Sequence, residues 1–295
     1  KGDPSYKYAR LYGIGFMQPE GEEAIYENIK ISEEHYNKIY YTDTTIHRIK
    51  GNGKAITWEP NADVAAPMMR KEFSISRPVK SARLYATARG IYEMSINGRQ
   101  VSNDYLNPGW TDYRFRLSYN VYDVSALIQQ GNNAVGAVLG KGWYTGNWGY
   151  YTQWMDPYGT DISLLAKLVI NYQDGSREVI VTDGTWQYTD DGPIVENGLL
   201  DGEDYDARRE IYEWDKPQYD ASKWHQVKIY NPLDSKVVLQ PYVGKPVRVD
   251  TVCTAIKLTE PLPHHFIYDI GQNVAGIPQI KIKKKRGQRV TLKYA

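Results

Sequence analysis

A chain of 295 residues with 36 basic and 35 acidic side chains carries a formal charge of only +1, which removes the electrostatic basis for nucleic acid or an anionic membrane as a partner. The length allows two domains, and the lone cysteine, Cys253, excludes an intrachain disulfide and a thiolate metal cluster. No stretch approaches the roughly 18 consecutive apolar residues of a membrane span, so no membrane span is expected. The chain opens on Lys1 rather than Met, which suggests a trimmed amino end and favours a periplasmic or secreted setting over a cytoplasmic one. Tyrosine is the outstanding bias, with 26 Tyr and 8 Trp against 4 Phe. Most aromatic surface therefore carries a polar handle, which suits both strands and the faces of sugar rings.

In chain order, residues 1–57 form an extension in which 22–31 and 32–39 are compatible with at most a short helix. Alternation from Ala55 to Trp58 and from Arg70 to Ile75 predicts extended chain before Pro78. From Ala82 onward the pattern is nearly all β: strands are predicted at 82–88, 91–96, 114–121, 134–139, 162–172 and 178–188. Asn97-Gly98 closes one hairpin and Gln173-Asp174-Gly175-Ser176 another. The one helix-like piece, Val124 to Ile128, stops at Gln130-Gly131-Asn132. Short strands at this spacing leave no room for crossover helices, so the fold class is all-β, an antiparallel jelly-roll or β-sandwich over residues 58–240. The proline-punctuated stretch through Asn231-Pro232, Pro241 and Pro246 reads as its exit. Residues 241–295 read as the first strands of a second β-sandwich, at 247–258, 266–270 and a hairpin of 277–283 with 289–294. A sheet left short of partners at Ala295 implies a longer natural chain.

Two groups of residues carry candidate chemistry. Loops rich in turn formers hold Asn107, Trp110, Tyr113, Trp143, Tyr144, Asn147, Trp148 and Tyr150, where exposed rings beside amides would stack on and hydrogen-bond a neutral ligand. The plain alternative puts Trp110 and Trp143 in the core, and it is preferred for those two; surface is preferred for Trp148 and Tyr150. The acidic run holds Asp201, Glu203, Asp204 and Asp206 with Arg208. Alternation along a strand would turn Glu203 and Asp206 to opposite faces, so a converging catalytic pair is not expected. A structural clasp between Asp206 and Arg208 is the preferred reading. Hard oxygens such as those of Asp201, Glu203 and Asp206 also suit calcium, although the EF-hand spacing is absent. The five histidines lack zinc spacing, and Lys281 to Arg286 reads as a solvated hairpin arm.

Seven motifs then line up: Ile96-Asn97-Gly98, Pro108-Gly109-Trp110-Thr111-Asp112-Tyr113, Tyr122-Asp123-Val124, Gly131-Asn132-Asn133, Gly140-Lys141-Gly142-Trp143-Tyr144, Gly202-Glu203-Asp204-Tyr205-Asp206-Ala207-Arg208 and Asp269-Ile270-Gly271-Gln272-Asn273. In this order they resemble the amino-terminal, non-catalytic part of bacterial α-L-rhamnosidases, over about Trp58 to Ala295. The resemblance implies an accessory sandwich, in some members a rhamnose-binding module that uses calcium, and then a larger β-domain. Both would precede a helical (α/α)₆ barrel that supplies the catalytic carboxylates of an inverting hydrolysis. The partners it implies are a rhamnose-containing glycan or glycoside and a carboxy-terminal catalytic domain of the same chain. No catalytic residue is carried onto this span, which alone is expected to be inactive. Three roles stay open for it: carbohydrate binding, a scaffold bracing the barrel, or a lectin-like module standing alone.

Overall fold

The computed structural model describes residues 66–147, 156–229, 236–281 and 289–293 in full, together with the backbone of short strands between residues 23 and 57. Four of these, β1 (Glu23–Tyr26), β2 (Ile29–Glu33), β3 (Lys38–Asp43) and β4 (His47–Lys50), form two antiparallel ladders, β1 with β4 and β2 with β3. The short helix expected between residues 22 and 39 is thus corrected to strands. The β-branched and aromatic runs Ile39-Tyr40-Tyr41-Thr42 and Ile29-Lys30-Ile31 prefer a pleated backbone, and no apolar period near 3.6 opposes them.

The sandwich opens with β5 (Ile56–Thr57), β6 (Met68–Ile75), β7 (Val79–Arg89), β8 (Ile91–Ile96), β9 (Arg99–Gln100), β10 (Arg116–Asp123) and β11 (Gly131–Gly140). It continues with β12 (Ser163–Tyr172), β13 (Arg177–Val181), β14 (Gln187–Thr189), β15 (Ile194–Gly198), β16 (Gly202–Tyr205), β17 (His225–Gln226), β18 (Lys228–Ile229) and β19 (Val238–Pro241). One sheet of seven strands runs β18-β5-β12-β7-β10-β19, with β13 also on β12; the other, of six, runs β17-β14-β6-β11-β8-β9. Their facing sides alternate as a half-buried strand should. Ala82, Leu84, Ala86 and Ala88 of β7 and Leu164, Ala166, Leu168 and Ile170 of β12 meet Tyr92, Met94 and Ile96 of β8 and Val135, Ala137 and Leu139 of β11 in one buried cluster. The alanine row of β7 leaves room for the larger side chains opposite. Each fully buried leucine or isoleucine contributes roughly 1.5–3 kcal/mol.

Turn chemistry fixes the registers. Asn97 and Gly98 both hold positive φ, 53° and 77°, as the tight turn between β8 and β9 requires. Asn97 also donates from Nδ2 to the carbonyl of Leu127 and to Oδ1 of the fully buried Asn133, and accepts from the Ala134 amide at 2.8 Å. The expected single strand over 178–188 breaks after Val181, because Asp183 Oδ1 accepts from the amide and hydroxyl of Thr185 and turns the chain toward the other sheet. The helix-like piece is a single 3-10 turn, Ser125–Leu127.

One pairing departs from the antiparallel expectation: β19 lies parallel to β10, from Arg116 with Val238 to Tyr119 with Pro241. The proline-punctuated stretch read as an exit therefore supplies an edge strand, the place in a sheet where proline's missing N–H is tolerated.

Contacts divide the chain into one unit of Lys1–Val247 and another of Arg248–Ala295. In the second, β20 (Lys257–Leu262) and β21 (His265–Asp269) form an antiparallel hairpin turned at His264, whose φ is 65°. The strand expected at 247–258 is displaced toward residues 257–262, since the turn at Pro263-His264 sets where the ladder closes. Residues 277–281 and 289–293 are exposed and carry no ladder, so the hairpin expected there is not formed among the described residues, and 282–288 lie outside them. A two-stranded pair without a packed face has little to hold it.

Candidate functional site

One end of the sandwich gathers the loops 105–115, 141–147 and 156–162, and glycine geometry brings them together. Gly90 alone joins β7 in one sheet to β8 in the other, with φ at +107°. A Cβ on Gly90 would meet the Gly140 carbonyl oxygen at 2.4 Å, and one on Gly142 would meet Ile91 at 2.6 Å. The Gly140-Lys141-Gly142 run therefore rests against the β7–β8 corner, with no room for a Cβ at Gly90 or Gly142.

From that base the chain raises three tyrosines. Tyr113 meets Tyr144 edge to face at 5.3 Å between centroids and Tyr158 at 5.0 Å, while Tyr144 and Tyr158 lie nearly parallel at 6.4 Å. Such offset and edge contacts suit aromatic quadrupoles. Trp110 stands beside Tyr158, 56% exposed, its Nε1 donating to the Tyr158 hydroxyl at 3.4 Å. Arg114 clasps Asp112 through two hydrogen bonds of 2.8 and 2.7 Å and lies 5.9 Å from the Tyr158 ring centre. That hydrogen bonding holds the Asp112 carboxyl below its ordinary range. Asp156 accepts from the Thr145 hydroxyl at 2.6 Å and the Gly146 amide at 2.7 Å, tying two of the loops together.

Two polar atoms at this end are buried and have no hydrogen-bond partner among the described residues: the Tyr113 hydroxyl and Asn147 Oδ1. One can donate and the other can only accept. Burial, and then the neighbouring Tyr158 and Tyr144, push the Tyr113 phenol well above its usual range, so it remains a neutral donor at physiological pH.

The structure sorts the residues named from sequence. Trp110, preferred as core, is exposed, because the turn at Pro108-Gly109 carries it outward while Tyr113 takes the core position. Trp143 is half-buried and packs on the core's edge. Tyr113 and Tyr144, expected as exposed rings, are 3% and 5% exposed; both pack against Tyr158 and close the end of the sandwich. Asn107 is also buried: its carbonyl accepts from the Tyr92 amide, its Nδ2 donates to Asp104, and its Oδ1 accepts from Asn120. It anchors the loop to the buried Tyr92–Tyr122 hydroxyl pair, and burial pushes the Tyr122 phenol up to about 12. Asn147 is half-buried, and Trp148 and Tyr150 lie outside the described residues. Sequence reasoning missed Tyr158, Asp156 and Arg114. The turn formers of Asp156-Pro157-Tyr158-Gly159 were the available signal for the first two.

In the acidic run, Asp206 accepts from Arg208 Nε at 2.8 Å and Nη2 at 2.5 Å and caps the 3-10 turn Ala207–Arg209 through the Arg208 amide. Those bonds hold its carboxyl far below the ordinary range. Asp201 and Glu203 are exposed. Glu203 shifts the other way: desolvation of its carboxyl, then the charge of Glu93, raises its pKa. A carboxyl whose folded pKa is raised costs stability once ionised, and the cost vanishes below the ordinary glutamate range near pH 4.3. Glu203→Gln is therefore expected to raise the melting temperature at pH 7 and to lose that advantage as the pH falls through about 4; thermal melts of the two proteins at both pH values check it. Among the described residues no three His, Cys, Asp or Glu side chains converge to hold a metal, so the arrangement proposed for calcium around Asp201, Glu203 and Asp206 is not assembled from acids alone. No helix among the described residues is long and apolar enough to cross a membrane.

Residues 77–251 match the family model described as the alpha-L-rhamnosidase N-terminal domain, and residues 260–295 match that of the bacterial alpha-L-rhamnosidase concanavalin-like domain. An alpha-L-rhamnosidase of Streptomyces avermitilis is 42% identical over 233 residues, covering 78% of this chain and 22% of that protein. One from Alteromonas sp. (strain LOR) is 37% identical over 232 residues, covering 77% and 24%. The chain thus spans between 22% and 24% of the length of these curated relatives. Among solved structures, the Streptomyces avermitilis alpha-L-rhamnosidase complexed with L-rhamnose superposes with a TM-score of 0.67 at 42% identity, over 72% of this chain and 20% of that one. The native Aspergillus terreus enzyme superposes with a TM-score of 0.71 at 30% identity, over 87% and 31%. With well over half of its length in the first of those matches, this chain belongs to the α-L-rhamnosidase N-terminal-domain family.

Proposed function

We propose that this chain is the non-catalytic amino-terminal portion of an α-L-rhamnosidase whose full length hydrolyses terminal α-linked rhamnose. What carries the reading is the match of residues 77–251, continued by that of 260–295, to two non-catalytic β-domains of that family. The catalytic carboxylates then belong to a further domain of the same protein. On this reading the protein works in the periplasm or outside the cell, where glycans are met before uptake.

For the span itself, we infer carbohydrate contact at the loop end. Trp110 and the Tyr158 edge supply an apolar wall, Arg114 a cation, and the Tyr113 hydroxyl and Asn147 Oδ1 a donor and an acceptor still to be used. That combination fits a pyranose, which has C–H faces and a hydroxyl rim. Burial of Tyr113 and Tyr144 favours a second reading, in which the same rings only close the sandwich. Titration with L-rhamnose, with and without calcium, separates the two. Saturable binding that Trp110→Ala weakens about tenfold, equivalent to ~1.4 kcal/mol, supports contact; no binding leaves the scaffold. The 295-residue chain should release no rhamnose from an aryl rhamnoside, and measurable turnover would overturn the non-catalytic assignment.

A further inference from the structure

The outward face of the six-stranded sheet holds polar groups that the loop-end site does not use. Glu93 and Ser95 share that face of β8, since alternate residues of a strand point the same way. Beside them in register on β11 stand Val138 and Gly136. Trp214 lies over Gly136 so closely that a Cβ there would come within 2.7 Å of the indole and 3.0 Å of the Asp215 side chain. Arg70, 3% exposed, holds this cover down by donating to the carbonyls of Trp214 at 2.8 Å and Lys216 at 3.1 Å. Farther along, Asn197 rests on Gly140 and accepts from the Lys141 amide at 2.8 Å, and Glu203, its partner across the β15–β16 ladder, lies near Glu93.

Between the sheet and this cover two groups have no partner among the described residues. Ser95 is 8% exposed with its hydroxyl unbonded, and Asn197 Nδ2 is likewise buried and unbonded. A buried amide N–H₂ argues against a cation, and Glu93 with Glu203 against an anion. Unbonded polar atoms on the floor argue against an apolar guest, because each such atom left unsatisfied is costly. What remains is a neutral ligand able both to accept and to donate. Register sets its length: Asn197 sits at the Gly140–Ile91 pair and Ser95 at the Gly136 pair, four residues or about 13 Å along the strand. One water cannot bridge that span, and two linked sugar rings can.

We propose that the seam between β8–β11 and the overlying segment 197–215 opens as a second carbohydrate subsite, for a neutral disaccharide-length stretch of glycan. Asn197 Nδ2 donates to one ring, Glu93 and Glu203 accept from hydroxyls between the rings, and Trp214 walls the far ring as it moves off Gly136 to uncover Ser95. The subsite is independent of the loop-end reading.

The test is titration of the 295-residue chain with rutinose, a neutral disaccharide, and with digalacturonate, its diacid counterpart, followed by amide and indole NMR signals. Rutinose should shift the Ser95, Gly136 and Trp214 signals in a saturable way, in the parent and equally in Trp110→Ala, whereas digalacturonate should not. Asn197→Asp keeps the acceptor used by the Lys141 amide but replaces the free donor, and should weaken rutinose about tenfold. The Glu93→Gln, Glu203→Gln double variant should admit the diacid, which keeps the test open if Asn197→Asp fails to fold. Unmoved seam signals, shifts that vanish with Trp110→Ala, or equal binding of both disaccharides would overturn the subsite. The first two of these outcomes leave the loop-end reading standing on its own L-rhamnose titration.

Discussion

Gly90→Ala is expected to destabilise the sandwich by about 3 kcal/mol or more, read as a drop in the urea midpoint at unchanged slope. Two independent effects add. At φ of +107° an L side chain is strained, which costs on the order of 1–3 kcal/mol. The new methyl would also sit 2.4 Å from the Gly140 carbonyl oxygen and 3.2 Å from Ile162, and a backbone atom in a central strand cannot swing away as a side chain can. Gly131→Ala is the control. Its φ is +87° but nothing lies within 4 Å of its Cβ, so it isolates the conformational part, about 1 kcal/mol. Equal losses in the two variants would show that the close approach at the corner carries no energy. If the corner does yield in Gly90→Ala, the Gly140-Lys141-Gly142 run must shift with it, and L-rhamnose affinity at the loop end should fall together with stability.

The same corner marks the limit of what the sequence disclosed. Strand existence was legible because alternation is written residue by residue: Ala82-Leu84-Ala86-Ala88 and Leu164-Ala166-Leu168-Ile170 declare their buried faces without help from the rest of the fold. Asn97-Gly98 announced its turn for the same local reason. Where the chain changes sheets was not legible. Gly90 between two strands reads as a hairpin or a bulge, and only the Gly140 carbonyl standing opposite it makes it a crossing. The parallel pairing of β19 with β10 joins residues more than 100 positions apart, and no local pattern encodes it.

Aromatic residues at the candidate site show a related limit. Tyrosine carries apolar area and a hydroxyl alike, so its type does not say which part will face water. Tyr113 and Tyr144 bury nearly their whole rings, and Trp110, the larger apolar group, stays outside. Turn geometry decided this, since Gly109, at φ of +86° against the Tyr242 ring, aims the chain at Trp110 away from the core. Asp206 and Arg208 were easier, because a carboxylate and a guanidinium two residues apart reach one another in almost any turn.

The second large effect is expected at Trp186, which lies where the chain leaves β13 in one sheet for β14 in the other. It is 2% exposed, and its indole N–H donates to the Val181 carbonyl at 3.0 Å. Its own carbonyl accepts from the Val227 amide at 3.2 Å, so the ring plugs the core while its backbone holds the strand pair that follows. Trp186→Ala should cost about 3–5 kcal/mol, the lost transfer of a large ring plus the cavity it leaves in the core. Trp186→Phe keeps most of the volume and leaves one carbonyl unbonded, for which about 1–3 kcal/mol is expected. The ordering of the two variants is the sharper test. If the connection between sheets is held by the Asp183 turn and the Lys71–Asp183 ion pair at 2.8 Å, with the ring contributing little, both variants will melt near the parent and Lys71→Ala will melt below them. If the ring is the plug described here, Lys71→Ala, which removes a partly exposed pair worth about 1 kcal/mol or less, will lie closest to the parent and Trp186→Ala farthest.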